Sequence, residues 1–389
     1  MVFQIKCFLF PFILLAAYNT AYAELSPAEI QAARNKYLDL MQVREGWASA
    51  GNLPVINIGI IDTGFDYSHP AMVGRIDKFY SYEKKGVFHE NIFDMIAHGN
   101  GTASIIASTG ILVGLCPNCR LLAAEQGIIA QVPTMLRRKY RLEHPKVTVE
   151  EAMRAVALTN KKEITQYYLD WQDFILDSLS ASIRKLADSG VKVINVSMNI
   201  DDKDGKFNKA VQYALNKDVV IVQSAGNNSV ETTNYPGDTD NMIVVGGTLL
   251  DDTRWDSTIE GVRQGSNYGA RLTVMAPIVN VVWAAPHDIT SYASHDGPFG
   301  TFDHTSLFDG QTVIEDFAGT SSAAPMVTSL AGMVRSLRPD LTARDVVSII
   351  KNGADDIGEK GFDIYTGWGR INFKKTLELA KTWKSTAHK

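Results

Sequence analysis

The chain has 389 residues, 45% hydrophobic and 21% charged, with a formal net charge of −5. Such values describe an ordinary globular chain, long enough for one large domain or two small ones. Its mild acidity gives no electrostatic argument for nucleic acid or an anionic membrane surface as partner. The first stretch, MVFQIKCFLFPFILLAAYNTAYA, carries Lys6 as its only charge, then an apolar run from Cys7 to Ala17, and closes on Ala21-Tyr22-Ala23. A positive start, a short apolar middle and a small-x-small end predict a secretory signal peptide over residues 1–23. The apolar run is too short and too proline-interrupted for a stable membrane span. The mature protein is therefore expected to be secreted or periplasmic, with no membrane association once the leader is cut.

Residues 24–43 read as an N-terminal helical segment. Ser26, Pro27 and Glu29 form a capping-box start, and Ile30, Ala33, Tyr37, Leu38 and Met41 recur at helical spacing. From residue 44 to 389 the pattern is that of one domain. VINIGIID (55–62), VKVINVSM (191–198), DVVIVQSAGNN (218–228), MIVVGGT (242–248) and LTVMAP (272–277) are short runs apolar on both faces, as buried parallel strands require. ASIRKLADSG and KFNKAVQYALNK lie between some of them with helical spacing. Alternation of this kind predicts an α/β fold with a central, mostly parallel sheet. Ligands in such folds bind beyond the carboxyl ends of the strands. Asp62, Ser197 and the Gly226-Asn227 pair fall at those ends.

Two segments break the rhythm. Residues 128–180 are polar and mostly helical in pattern, an expected helical insertion. Its basic patch, Arg137-Arg138-Lys139 with Arg141, reads as a solvated face. Residues 284–314 are rich in Gly, Asp, His and Ser and read as a long loop. Once the leader is removed, Cys116 and Cys119 in LCPNCR are the only cysteines. Export permits a local disulfide. The pair sits in a Pro-Asn turn, so a structural clip, or simply two thiols, is expected rather than redox chemistry. Zinc would need about four ligands, and no second pair at suitable spacing is present.

The small-residue stretch EDFAGTSSAAPMV (315–327) holds adjacent serines, Ser321 and Ser322. A serine hydroxyl is a weak nucleophile and needs a base beside it. Of the eight histidines, His98 stands apart, because AHGNGTASIIAS places it before glycines and a possible buried helix. Asp62 ends a strand beside Thr63-Gly64, a position from which a carboxylate can orient an imidazole.

IIDTGFD, HGNGTASIIA and FAGTSSAAP occur in the chain order Asp, His, Ser, and together they resemble the subtilisin-like serine peptidases, or subtilases. The resemblance covers about residues 44–376. It implies a three-layer αβα fold and an Asp62-His98-Ser321 triad hydrolysing peptide bonds through an acyl-enzyme. GTSSAAP differs from the family's GTSMAAP only at Ser322. SAGNNS resembles the family's AAGN and implies Asn227 as an oxyanion-hole donor. NVSMN resembles the strand that pairs with the substrate backbone. Ser197, Met198 and Asn199, with Ser224, Ala225 and Gly226, are accordingly expected to bind substrate. SNYGARLTVMAP and TGWGRIN resemble further family segments.

Departures qualify what carries over. HGNGTAS has Asn100 and Gly101 where the family has Thr and a second His. Met198, Asn199 and Ile200 stand where glycines help open the first specificity pocket, so a narrowed pocket is expected. The segment that binds calcium in many relatives is shortened here, so that calcium site is expected to be absent, with calcium elsewhere left open; no other metal and no cofactor is expected, and the expected partners are protein or peptide substrates of a monomer. Room for one helix alone separates Ala23 from the domain, where many relatives carry a folding pro-domain. A catalytically idle binding protein is the main rival, disfavoured by the intact Asp62, His98, Asn227 and Ser321. The atypical histidine segment keeps a peptide ligase open as a third reading. N-x-S/T patterns at Asn100, Asn195 and Asn227 lie inside site-forming segments and are read as accidental.

Overall fold

The computed structural model describes residues 27–82, 88–89, 98–110, 112–125, 143–144, 155, 161–198, 202, 204–232, 242–259, 262–278, 282–284, 306–308, 311–315 and 319–386. The leader, Ser26, Asn199, Ile200, the basic patch and most of 128–160 and 285–305 lie outside them.

The strands of the main sheet are β1 (Ile56–Asp62), β2 (Ile76–Tyr82), β3 (Phe88–His89), β4 (Cys119–Glu125), β5 (Val193–Val196), β6 (Val220–Ser224) and β7 (Met242–Thr248). β8 (Asp256–Ile259) and β9 (Val262–Gly265) form a separate hairpin, and β10 (Val274–Pro277) closes the far edge of the main sheet. The order is β10-β7-β6-β5-β1-β4-β2-β3, and every pairing is parallel except β2 with β3. From β1 the chain builds first toward β4 and β2, then returns to β1's other side with β5. The β1–β5 boundary is thus where the winding reverses, the place at which such sheets open a crevice.

Helices cover both faces: α1 (Pro27–Leu40), α2 (Val43–Ala50), α3 (His98–Ala107), α4 (Lys161–Asp188), α5 (Lys206–Asn216), α6 (Thr320–Leu337), α7 (Ala343–Gly353) and α8 (Phe373–Thr382). Side chains alternate between the two cores, as the two-residue strand period dictates. Val220 and Val222 join Ala323, Val327 and Leu330 of α6, while Ile221 between them joins Ile183 of α4 and Phe207 of α5. This is the expected three-layer α/β arrangement. Helix α6 is its central rod, buried almost throughout. Each Val, Leu or Met it hides contributes about 1.5–3 kcal/mol, which makes its N-terminus a rigid place from which to hold a side chain.

The N-terminal segment is part of this core. Tyr37 and Leu38 of α1 and Met41 just after it are buried in it, and the Phe373 amide donates to the Met41 carbonyl at 2.8 Å. Gly46 of α2 lies so close to Phe373 that a Cβ there would come within 2.7 Å of the Phe373 Cβ.

The structure adds strands and revises one loop. β4 is not among the strands that the sequence predicts, because CRLLAAE lacks the β-branched residues that mark those strands. It begins at Cys119, which is disulfide-bonded to Cys116 across the Pro-Asn turn with a Cα–Cα distance of 5.3 Å. Of the two expected states of this pair, the clip is the one present. The loop expected over 284–314 is corrected in part. β11 (Val282–Ala284), β12 (Ser306–Phe308) and β13 (Gln311–Glu315) form a three-stranded antiparallel sheet. Asp309-Gly310 between β12 and β13 is a two-residue hairpin signal of the kind that predicts such a pairing. The sheet is tied to α3, since the Ala284 amide donates to the Ser104 hydroxyl at 3.1 Å.

Candidate active site

Asp62 is the last residue of β1 and is fully buried. Its burial is compensated by three donors. The Thr63 amide at 2.8 Å and His98 Nδ1 at 2.6 Å meet Oδ1, and the Thr102 hydroxyl at 2.9 Å meets Oδ2. A buried carboxylate so surrounded is fixed in position.

His98 opens α3, with 15% of its side chain exposed. Donation from Nδ1 to the Asp62 carboxylate fixes the ring's orientation and tautomer. Gly99 explains why a glycine follows: a Cβ there would overlap the Gly64 carbonyl oxygen. The departure at Asn100 has a structural use. Its Oδ1 accepts from the Asp66 amide at 2.8 Å and its Nδ2 donates to the Ala284 carbonyl at 3.3 Å, joining the Asp62 turn, α3 and β11. Asn100 and Asn195 are both fully buried, which leaves no room for a glycan on either.

Ser321 and Ser322 are separated by burial. The Ser322 side chain is buried, and its hydroxyl donates to the Gly319 carbonyl at 2.8 Å. Ser321 is half-buried in the first turn of α6, and its hydroxyl donates to the Ser197 carbonyl at 3.1 Å. Ser197 follows β5, the neighbour of β1, so Asp62 and Ser197 sit at the same end of adjacent strands. Helices α3 and α6 pack together, and their first turns are tied to those two strand ends, His98 to Asp62 and Ser321 to Ser197. Pro325 is the sixth residue of α6, in its second turn.

Asn227 follows β6 and faces the N-terminus of α6. Its Oδ1 accepts from both the amide and the hydroxyl of Thr320, at 3.0 and 2.7 Å. That orients the amide group and leaves Nδ2 with no acceptor among the described residues. Gly319, with φ of 94°, lies beside it; a Cβ there would sit 3.0 Å from Asn227 Nδ2. The Ser321 amide is in the same first turn, where helix N–H groups have no partner within the helix. Both donors lie at the N-terminus of α6, the turn that carries Ser321.

The chain matches the model of the subtilase family over residues 55–369. The chain belongs to the subtilase family. This subtilase is 29% identical over 321 residues to a thermophilic serine proteinase of Bacillus sp. (strain AK1), covering 81% of the chain but 60% of that protein's length. It is 25% identical to thermitase of Thermoactinomyces vulgaris, covering 82% of the chain and 88% of thermitase. Among solved structures, the MycP3 protease from the type VII (ESX-3) secretion system superposes with a TM-score of 0.59 at 21% identity, covering 94% of this chain and 90% of that one. Fervidolysin from Fervidobacterium pennivorans superposes with a TM-score of 0.57 at 20% identity, covering 92% of this chain and 49% of that one. Those two likenesses establish the fold.

The rest of the site is support that sequence reasoning did not name. Thr102 holds Asp62. Thr320 holds Asn227, and its hydroxyl also accepts from the Gly226 amide at 3.0 Å. Asn267, inside the SNYG segment, shapes the Asn227 loop. Its Nδ2 donates to the Ala225 carbonyl, its Oδ1 accepts from the Asn228 and Val230 amides, and its own amide donates to the Gly226 carbonyl. The SNYG resemblance was the signal that could have found it. Ser224, Ala225 and Gly226 line up at the end of β6, all buried, with Gly226 at φ of 96°. Met198 is half-buried against the α4–α5 core, and its carbonyl accepts from Gln223 Nε2 at 3.0 Å. Among the described residues no group of three or more His, Cys, Asp or Glu is placed to hold a metal ion, and no helix is long and apolar enough to cross a membrane.

Proposed function

We propose that this subtilase is an exported serine endopeptidase acting through Asp62, His98 and Ser321, with Asn227 as an oxyanion donor. The observation that carries the reading is the 2.6 Å Asp62–His98 pair at the end of β1, beside the end of β5 to which Ser321 is hydrogen-bonded.

Before substrate arrives, the Ser321 hydroxyl rests on the Ser197 carbonyl. A peptide aligned along the end of β5 offers its own N–H to that carbonyl, and a turn about the Ser321 Cα–Cβ bond then delivers the hydroxyl to His98. His98 Nε2 takes the proton as Ser321 Oγ bonds to the substrate carbonyl carbon, and an electron pair moves onto the carbonyl oxygen. Asn227 Nδ2 and the Ser321 amide hold that oxyanion. Collapse breaks the C–N bond, and the leaving amine takes the proton from Nε2. Water repeats the sequence against the acyl-enzyme, releasing the acid and restoring Ser321. Asp62 keeps its carboxylate throughout and stabilises the imidazolium.

Backbone pairing at the strand ends makes recognition partly independent of side chains. Substrates are proteins or peptides, and the enzyme acts as a monomer without cofactor. Export to the periplasm or the medium rests on the pattern of the first 23 residues. The sequence puts the bulkier Met198, Asn199 and Ile200 where the family has glycines, which is the basis for proposing a narrowed pocket for the side chain preceding the cut. A peptide-library profile is expected to favour small residues at that position; a profile dominated by aromatic residues would be incompatible with a narrowed pocket.

The reading is tested by treating the leaderless protein with a fluorophosphonate and mapping the adduct by mass spectrometry. The adduct is expected on Ser321. An adduct on Ser322, or a well-folded protein that stays unlabelled, sinks the assignment. A further expectation concerns Asn227→Leu, which removes one donor while keeping size. It is expected to lower kcat about 10²- to 10³-fold with KM little changed, a magnitude whose reference case is subtilisin, of this same family. An equal rise in KM would instead mean that Asn227 binds the ground state.

A further inference from the structure

A proline inside a helix leaves a carbonyl without its usual donor. Pro325 does so in α6, because it has no N–H to give to the Ser321 carbonyl four residues back. The residue left with an orphaned carbonyl is the one that bears the proposed nucleophile. That carbonyl accepts instead from the Ser197 hydroxyl at 3.0 Å. Ser197 is only 2% exposed, so a solvent molecule has little access to replace the bond.

The Ser197 hydroxyl is itself held. Asn195 Nδ2 donates to its oxygen at 3.0 Å, and Asn195 Oδ1 accepts from the Thr328 hydroxyl at 2.8 Å. Asn195 and Thr328 are both fully buried. Thr328 lies seven residues beyond Ser321, two turns along the same face of α6. The chain Thr328–Asn195–Ser197–Ser321 therefore leaves α6, crosses to β5 and returns to α6 at its first turn. Donors and acceptors alternate in one direction along it, which directs the Ser197 proton onto the Ser321 carbonyl.

We propose that the Ser197 hydroxyl, oriented by Asn195, is a positioning group for Ser321. It replaces the hydrogen bond that Pro325 cannot make and fixes the Ser321 peptide unit, and with it the Ser321 amide and Oγ. In an uninterrupted helix the donor would belong to α6 and move with it. Here the donor belongs to the end of β5, beside the strand that carries Asp62, so the nucleophile is located relative to the sheet. This role differs from that of the Ser197 carbonyl, which receives the resting Ser321 hydroxyl and is retained in Ser197→Ala. The inference rests on the reading of Ser321 as nucleophile.

The test is a cycle of wild type, Ser197→Ala, Pro325→Ala and the double variant. Each is measured for kcat, KM, rate of fluorophosphonate labelling and thermal midpoint. Ser197→Ala is expected to lower kcat and the labelling rate about 10- to 100-fold through misplacement of Ser321, with KM nearly unchanged. In the Pro325→Ala background, where an amide hydrogen again reaches the Ser321 carbonyl, the same substitution is expected to cost about threefold or less. Ser197→Thr, which keeps a hydroxyl, is expected to retain most of the activity. Equal losses in both backgrounds, or an unaffected kcat in Ser197→Ala, would overturn the proposal. Should Ser197→Ala fold poorly, restoration of its thermal midpoint by Pro325→Ala supports the link and no restoration overturns it. A wild type inert to the fluorophosphonate would refute the reading of Ser321, while the thermal cycle would still report whether the hydroxyl and the proline are coupled.

Discussion

Ser321→Ala is expected to lower kcat for peptide hydrolysis about 10⁴- to 10⁶-fold while leaving a folded protein, the scale found when the serine of subtilisin, a relative in this family, is removed. The site explains why fold and chemistry separate. Ser321 is in the first turn of α6, where alanine is fully compatible with helix. Its side chain makes one hydrogen bond, to the Ser197 carbonyl, and loss of a single such bond costs about 1 kcal/mol. The Ser321 carbonyl keeps its Ser197 donor, and Asn227 keeps both bonds from Thr320. The proposed oxyanion donors are therefore expected to survive, and the residual rate they would support over water is itself part of the expectation. Steady-state kinetics alongside a thermal melt check it. A variant that keeps most of its kcat would move the nucleophile elsewhere. Ser322 is poorly suited to that role, since it is buried and its hydroxyl is spent on the Gly319 carbonyl.

Asp62→Asn is expected to cost about 10³- to 10⁴-fold in kcat with the fold retained. Asparagine occupies the same space and can meet the same neighbours. Its oxygen can keep the bonds from the Thr63 amide and His98 Nδ1. Its NH₂ can donate to the Thr102 hydroxyl, which still has the Gly99 carbonyl at 3.0 Å to donate to. What the variant loses is the negative charge beneath an imidazole that must become imidazolium in the transition state. In a fully buried setting that charge is poorly screened, so its removal is felt almost entirely in the reaction. The check is kcat beside KM for the purified variant. A kcat within about tenfold of wild type would remove Asp62 from the mechanism.

The parts of the site legible in the sequence share one property: each needs several particular residues next to one another. Asp62 needs the turn that Thr63-Gly64 makes directly after a strand. His98 needs Gly99 because no larger residue clears the Gly64 carbonyl. Ser321 needs Gly319 before it, where a positive φ and the approach of Asn227 forbid a side chain. Such local demands leave contiguous motifs, and their chain order made the resemblance readable. The supports were not legible for the converse reason. Thr102, Asn195, Thr328 and Asn267 are ordinary polar residues within helices, strands or loops, and they matter through partners 40 to 133 positions away. β4 was missed because its residues look helical or turn-like until β1 and β2 flank it. The pairing of β12 and β13 has a local signal in the sequence, the Asp309-Gly310 pair between them, as Asn267 has in the SNYG segment.

By itself the sequence determined the α/β class with a mostly parallel sheet, through short runs apolar on both faces alternating with helical spacing, and the identity of the residues that motif chemistry requires. The tertiary structure alone decided how they are held. It turned Ser322 into the core and Ser321 into the crevice, paired Cys116 with Cys119, and converted the misfit at Asn100 into a clip between α3 and β11. It also set the Ser197 hydroxyl under a carbonyl that Pro325 leaves unpaired. The physical reason is the same in each case. Local geometry is imposed by neighbours along the chain, whereas burial and hydrogen-bond satisfaction depend on what the fold brings alongside.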